Sequence, residues 1–184
     1  MADGTTKRIQ DVRVGDAVLA TDPESGRTEG HTVTDTIYTP DDTDFADITI
    51  GAGNARITAT QHHPFWSPSA HRWIDAGDLK PGQTLRTNDG RTVTVASVHP
   101  YHRLHSAYNL TVDNLHTYYV LAGSTSVLVH NSASVCERIA LGLQTVDEDI
   151  MALEEFAMER DALTYHDWPG SGPWYKKFEA YLSS

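Results

Sequence analysis

"DVRVGDAVLATD" (residues 11–22) and "DLKPGQTLRTND" (78–89) align without a gap at a constant offset of 67. Asp11/Asp78, Gly15/Gly82 and Asp22/Asp89 are identical, while Val12/Leu79, Arg13/Lys80 and Val18/Leu85 keep their chemical type. Each copy runs on into Gly-Arg-Thr, at 26–28 and 90–92. Glycine-centred turn residues followed by alternating apolar positions mark a turn feeding a strand. Chance can match two such segments. A gapless match that ends in the same tripeptide points instead to a duplicated β unit, its halves packed about a pseudo-twofold so that each covers the other's apolar face.

Outward from the repeat, the chain up to Asn131 reads as short strands. "DAVLATD", "HTVTDTIYT", "FADITI", "ARITAT", "RTVTVASV", "AYNLTV", "TYYVLAG" and "SVLVH" are rich in Val, Ile, Thr and Tyr. Turn signals such as Gly15-Asp16, Ser25-Gly26, Pro81-Gly82 and Asp89-Gly90 separate many of them. Strands so short need one another's edges, so an all-β domain is expected over residues 1–131. From Ser132 the period changes. Ile150, Leu153, Phe156 and Ala157 form a helical stripe, preceded by Asp147, Glu148 and Asp149 where negative charge suits a helix N-terminus. "PGSGP" (169–173) ends that pattern, and "WYKKFEAYL" starts another. Residues 132–184 are expected to form a small α-helical segment, too short for a core of its own.

Composition narrows the function classes. The 184 residues are 39% hydrophobic, enough for a packed core and unlike a disordered chain. The net charge is −11, with 10 basic and 15 acidic residues up to Asn131, then 4 and 10. No basic run offers a phosphate footprint, so no nucleic-acid partner is expected. No apolar run approaches a membrane span, and "MADGTTKRIQ" is not a signal peptide, so no membrane partner is expected and the chain as written carries no address. A single cysteine, Cys136, excludes an internal disulfide and a cysteine-rich zinc site. Ten histidines are left to explain.

Four elements carry chemistry-bearing residues. "TATQHHPFW" sets Thr60 and His63 three apart, at the end of a strand stopped by Pro64. "YNLTVDNLHTYYVLAG" places His116 between two strands. "VLVHN" ends in His130-Asn131, and Ser132 follows. Asn and Ser alone would read as a turn.

Taken together, Thr-x-x-His, "NLTV…HTYYV" and a terminal "HN" before Ser resemble a Hint domain, the self-processing module shared by inteins and hedgehog C-terminal regions. The closer resemblance is to the pretoxin subgroup that precedes toxin domains in bacterial polymorphic toxins, and it covers residues 1–131. It implies a pseudo-twofold all-β horseshoe and autoproteolysis at Asn131-Ser132, with no cofactor and no metal. In such domains the Asn amide nitrogen attacks its own backbone carbonyl, closing a five-membered succinimide and releasing the next residue as a free amine. The amide is a poor nucleophile and the leaving amine needs a proton, so a neighbouring imidazole, with a pKa near working pH, suits the step. The resemblance implies that His130 polarises the scissile carbonyl, that His116 assists proton transfer at Asn131, and that Ser132 is left as an acyl acceptor. By the same resemblance, Thr60 and His63 activate the bond at the domain's N-terminal junction. The substrate would be the chain's own polypeptide. The parent protein would be secreted or displayed at the cell surface, with an upstream delivery protein and an immunity protein for the cargo as partners.

Two positions depart from the family. Its N-terminal nucleophile lies upstream of where this sequence starts, so neither splicing nor a thiol-sensitive ester is expected of the chain as written, and single-turnover cleavage is expected to be impaired. Asn109 stands where many inteins carry Asp. Two rival readings stay open: an inactive Hint scaffold, and a metal-dependent hydrolase using the His-rich strands. Against the second, His62-His63 has no Cys or Glu at metal-ligand spacing. His99, His102 and His105 read as a solvated strand edge or turn, Trp66, Trp73, Tyr118 and Tyr119 as core. Cys136 reads as a small helix-core residue or, alternatively, a reactive thiol of the cargo.

Overall fold

The computed structural model describes residues 1–52 and 55–131. Nine strands follow one another there: β1 (Ala17–Thr21), β2 (Thr28–Ile50), β3 (Ala55–Thr60), β4 (Pro64–Ser67), β5 (Arg72–Asp75), β6 (Thr84–Arg86), β7 (Thr92–Val112), β8 (Thr117–Ala122) and β9 (Thr125–His130). The helical segment expected at 132–184, with Ser132 and Cys136, lies outside the described residues.

The two copies of the repeat share one backbone. A 3-10 turn at Ile9–Asp11 leads into β1, and its counterpart at Ala76–Asp78 leads into β6. Between turn and strand, Gly15 and Gly82 sit at φ 92 and 91, a conformation that a Cβ would penalise. The Gly15 N–H donates to Val33 O and the Gly82 N–H to Val95 O, both at 2.9 Å. In return, Val33 and Val95 donate to Asp16 O and Gln83 O, both at 2.8 Å. Even the change of Asp16 to Gln83 keeps its purpose. The Asp16 carboxylate accepts the Arg13 N–H at 2.8 Å, and Gln83 Oε1 accepts the Lys80 N–H at 2.7 Å. Val18 and Leu85 both point into the core.

One sheet runs β1-β2-β7-β6, with β3 added on β2; the other runs β5-β4-β9-β8. The first order is its own mirror: each repeat contributes a short strand and a long one, and the long strands β2 and β7 pair antiparallel at the centre. This is the expected all-β architecture, built by duplication. Phe65, Ile48, Ile50, Leu85, Val33 and Val95 fill one apolar core between the sheets. A hydroxyl network ties β1 to β8 across 96 positions. The Thr21 N–H donates to Thr117 Oγ1 at 3.0 Å, Thr117 Oγ1 donates to Thr21 O at 2.9 Å, and Thr21 Oγ1 meets the Tyr119 hydroxyl at 2.6 Å.

The strands differ from expectation in three places. β2 absorbs both segments read separately at 31–39 and 45–50; register shifts between Thr39 and Asp44 take up "PDDTD" without ending the strand. β7 likewise spans 91–98 and 107–112 with "HPYHRLHSA" included. Pro100 lies past the stretch paired with β6, so one side of β7 is an edge there and proline is tolerated. Pro64 opens β4 rather than merely stopping β3.

Candidate active site

The site is built on the β8–β9 hairpin. Gly123-Ser124 connects the strands as a two-residue loop, with Gly123 at φ 59 taking the first central position of a II′-type turn. A two-residue loop fixes register: Ala122 pairs with Thr125, and the ladder runs to Thr117 opposite His130. One further step brings His116 opposite Asn131, and the Asn131 N–H donates to His116 O at 2.7 Å. His116 itself is at φ 53, a left-handed conformation that costs a non-glycine residue about 1–2 kcal/mol. It is held on both sides, its own N–H donating to Val112 O at 3.2 Å. Strain kept in place by surrounding bonds clusters at functional sites.

His130 closes β9 with only 6% of its surface exposed. Its ring lies edge-on to Trp73, centroids 5.0 Å apart, and 6.2 Å from the ring of His116. Burial, then the neighbouring His116 and His63, push its pKa down to about 4. At neutral pH this imidazole is uncharged, a hydrogen-bonding group rather than a cation.

Asn131 is 1% exposed, and its amide is bonded at both ends. Asn109 Nδ2 donates to Asn131 Oδ1 at 3.0 Å, and Asn131 Nδ2 donates to Thr111 Oγ1 at 2.9 Å. Behind Asn109, the Tyr118 hydroxyl donates to its Oδ1 at 2.8 Å, as does the Leu110 N–H at 2.8 Å. Thr60 ends β3 and His63 lies just before β4. The His63 N–H donates to Thr60 O at 3.0 Å, and the His63 ring stands 6.3 Å from that of Tyr118. A cleft of about 920 Å³ has Thr60, His63, Phe65, Asn109, Tyr118 and Asn131 in its wall.

Thr60, His63, His116, His130 and Asn131, scattered from position 60 to 131, are thus gathered around one cleft and the hairpin end beside it. Ser132 lies outside the described residues. Three participants were not assigned to the site from sequence: Asn109, Thr111 and Tyr118. Asn109 and Thr111 are spaced by two on β7, hence on one face, while Leu110 and Val112 are buried on the other. That alternation was the available signal. Tyr118 and Trp73 are buried as expected of core residues, but the Tyr118 hydroxyl also reaches the site.

Of the remaining described histidines, His105 also lines the cleft. His99, His102 and His105 are exposed on β7. His62 is exposed and lies 3.4 Å from Asp75. Among the described residues no group of three or more His, Cys, Asp or Glu side chains is placed to hold a metal ion.

The chain is similar to known proteins. The pretoxin HINT domain family matches residues 1–132. A bacterial intein-like domain from Clostridium thermocellum is 33% identical, covering 67% of this chain and 86% of that one at a TM-score of 0.60. A DnaB intein from Synechocystis, 17% identical, shares the fold over 70% of this chain and 89% of its own at a TM-score of 0.57. No curated protein matches.

Proposed function

Because the chain belongs to the pretoxin HINT family and has the fold of an intein-like autoprocessing module, we propose that it cuts itself at Asn131-Ser132 by cyclisation of Asn131. The observation that carries this reading is the buried, doubly bonded Asn131 amide, set opposite His116 and directly after His130. Neutral His130 donates toward the scissile carbonyl, and His116 moves the proton that Nδ2 gives up. The proton transfer is worth about 10²–10⁴-fold and the donor to the carbonyl about 10²–10³-fold. Thr60 and His63 serve the N-terminal junction of the module. The freed segment, from Ser132 onward, is a toxin-type cargo whose partner would be an immunity protein, and the parent protein would be secreted or displayed at the cell surface.

Intact mass after incubation of the purified chain tests this. The expected products end in Asn131, as its succinimide or hydrolysed form, and begin at Ser132. Asn131→Ala should abolish them, and His130→Ala should slow them by about 10²-fold. If Asn131→Ala were cut at the unmodified rate, a contaminating protease would be the explanation. A wild-type chain that stays whole would favour an inactive scaffold.

A further inference from the structure

The orientation of the Asn131 amide follows from a chain of forced assignments. A backbone N–H can only donate, so the Asn109 atom 2.8 Å from the Leu110 nitrogen is the oxygen Oδ1. The Tyr118 hydroxyl, 2.8 Å from the same oxygen, must then be a donor as well. Burial pushes the Tyr118 pKa up, so that donor keeps its proton throughout the working range. Nδ2 of Asn109 is left facing Asn131 at 3.0 Å, and only Oδ1 of Asn131 can accept from it. The Asn131 nitrogen therefore turns to Thr111, whose hydroxyl accepts at 2.9 Å. Thr111 could give or take a hydrogen and discriminates nothing by itself. Asn109 does the discriminating.

We propose that Asn109, fixed by Tyr118 and the Leu110 N–H, is a positioning residue that presents the nitrogen rather than the oxygen of Asn131 for ring closure, with Thr111 polarising that nitrogen. The inference rests on the cleavage reading above. Only nitrogen can close the succinimide. Nδ2 bonds to the Asn131 carbonyl carbon as the bond to the Ser132 nitrogen breaks; one proton leaves Nδ2 and one joins the departing amine. The step needs no co-reactant. A half-turn of the amide would put oxygen in the nucleophile's place, and a misoriented reactant costs on the order of 10²-fold.

The test uses the full chain. Asn109→Asp, the residue many inteins carry here, keeps size and shape but, when ionised, replaces the donor facing Asn131 with an acceptor. Cleavage at pH 8 should fall about 10- to 100-fold. The ratio of variant to wild-type rate should rise as the pH is lowered to 5, because a protonated carboxyl again offers a donor. Tyr118→Phe should slow cleavage at every pH, and Thr111→Val should slow it where Thr111→Ser does not. A wild-type rate and a flat ratio for Asn109→Asp would overturn the inference and leave the cleavage reading intact. If the wild-type chain is never cut, the orientation is read by nuclear magnetic resonance on asparagine-labelled protein. A contact between the Asn131 side-chain amide protons and the Thr111 methyl, lost in Asn109→Asp, upholds the positioning; its absence in wild type overturns it.

Discussion

At His130, burial against Trp73 and two nearby imidazoles hold the pKa near about 4. An unfolded chain takes up this proton below about 6.5. Between those values the unfolded state binds more protons than the native one, so stability is full above the window and declines as pH falls through it. The loss is on the order of 3 kcal/mol at the bottom of the window, by the rule of 1.36 kcal/mol per unit. Urea melts at pH 7 and 4.5 should show the midpoint falling, and His130→Gln should shrink that fall. An equal fall in the variant would place the titration elsewhere. The family resemblance picked out His116, His130 and Asn131 by motifs that bracket a single hairpin and lie within 16 positions. Asn109 stood out only as a departure from the Asp of many inteins, and Thr111 and Tyr118 were not assigned to the site: alternation along β7 marks a shared face, but not where β7 crosses the hairpin's open end.

The β8–β9 hairpin works as a ruler whose zero is Gly123-Ser124. Deleting Ser124 leaves a one-residue connection that cannot close the ladder, so β9 must slip or open. A slip by one residue exchanges its faces and takes Asn131 from its place opposite His116. Cleavage should fall by about 10²-fold or more. Inserting one glycine beside Ser124 should be tolerated, since three-residue loops close hairpins in register through a bulge. Equal rates for the two variants, measured as product mass against time, would show that register is not what sets the site. The other elements were legible unevenly. The repeat disclosed β1 and β6 and their turns because a left-handed glycine and its flanking cap are local chemistry. β2 and β7 were broken in two on paper, because "PDDTD" and "HPYHRLHSA" carry turn and charge signals that pairing between the long strands overrides. β4 and β5 escaped because four-residue strands show too little alternation to detect.

Across the whole molecule, the thread from Thr21 to Thr117 and Tyr119 sets an order of events. The hairpin that leads to Asn131 is a late, nearly self-contained piece of chain. Its first strand is nevertheless pinned by the first repeat, and His63 comes from the stretch between the two copies. A segment just emerging in extended form holds Asn131 without its surroundings and is no more fragile there than at any other asparagine. Folds dominated by distant pairings form in milliseconds to seconds, slower than helical bundles. On the proposed cleavage reading, rupture of the bond would therefore certify that the entire module has assembled, and the cargo would be let go only by a finished carrier. On dilution from denaturant, product should appear after a lag equal to the refolding time followed by tryptophan fluorescence, and Thr117→Val should lengthen both together. Product accumulating from time zero, ahead of the fluorescence change, would uncouple severance from folding.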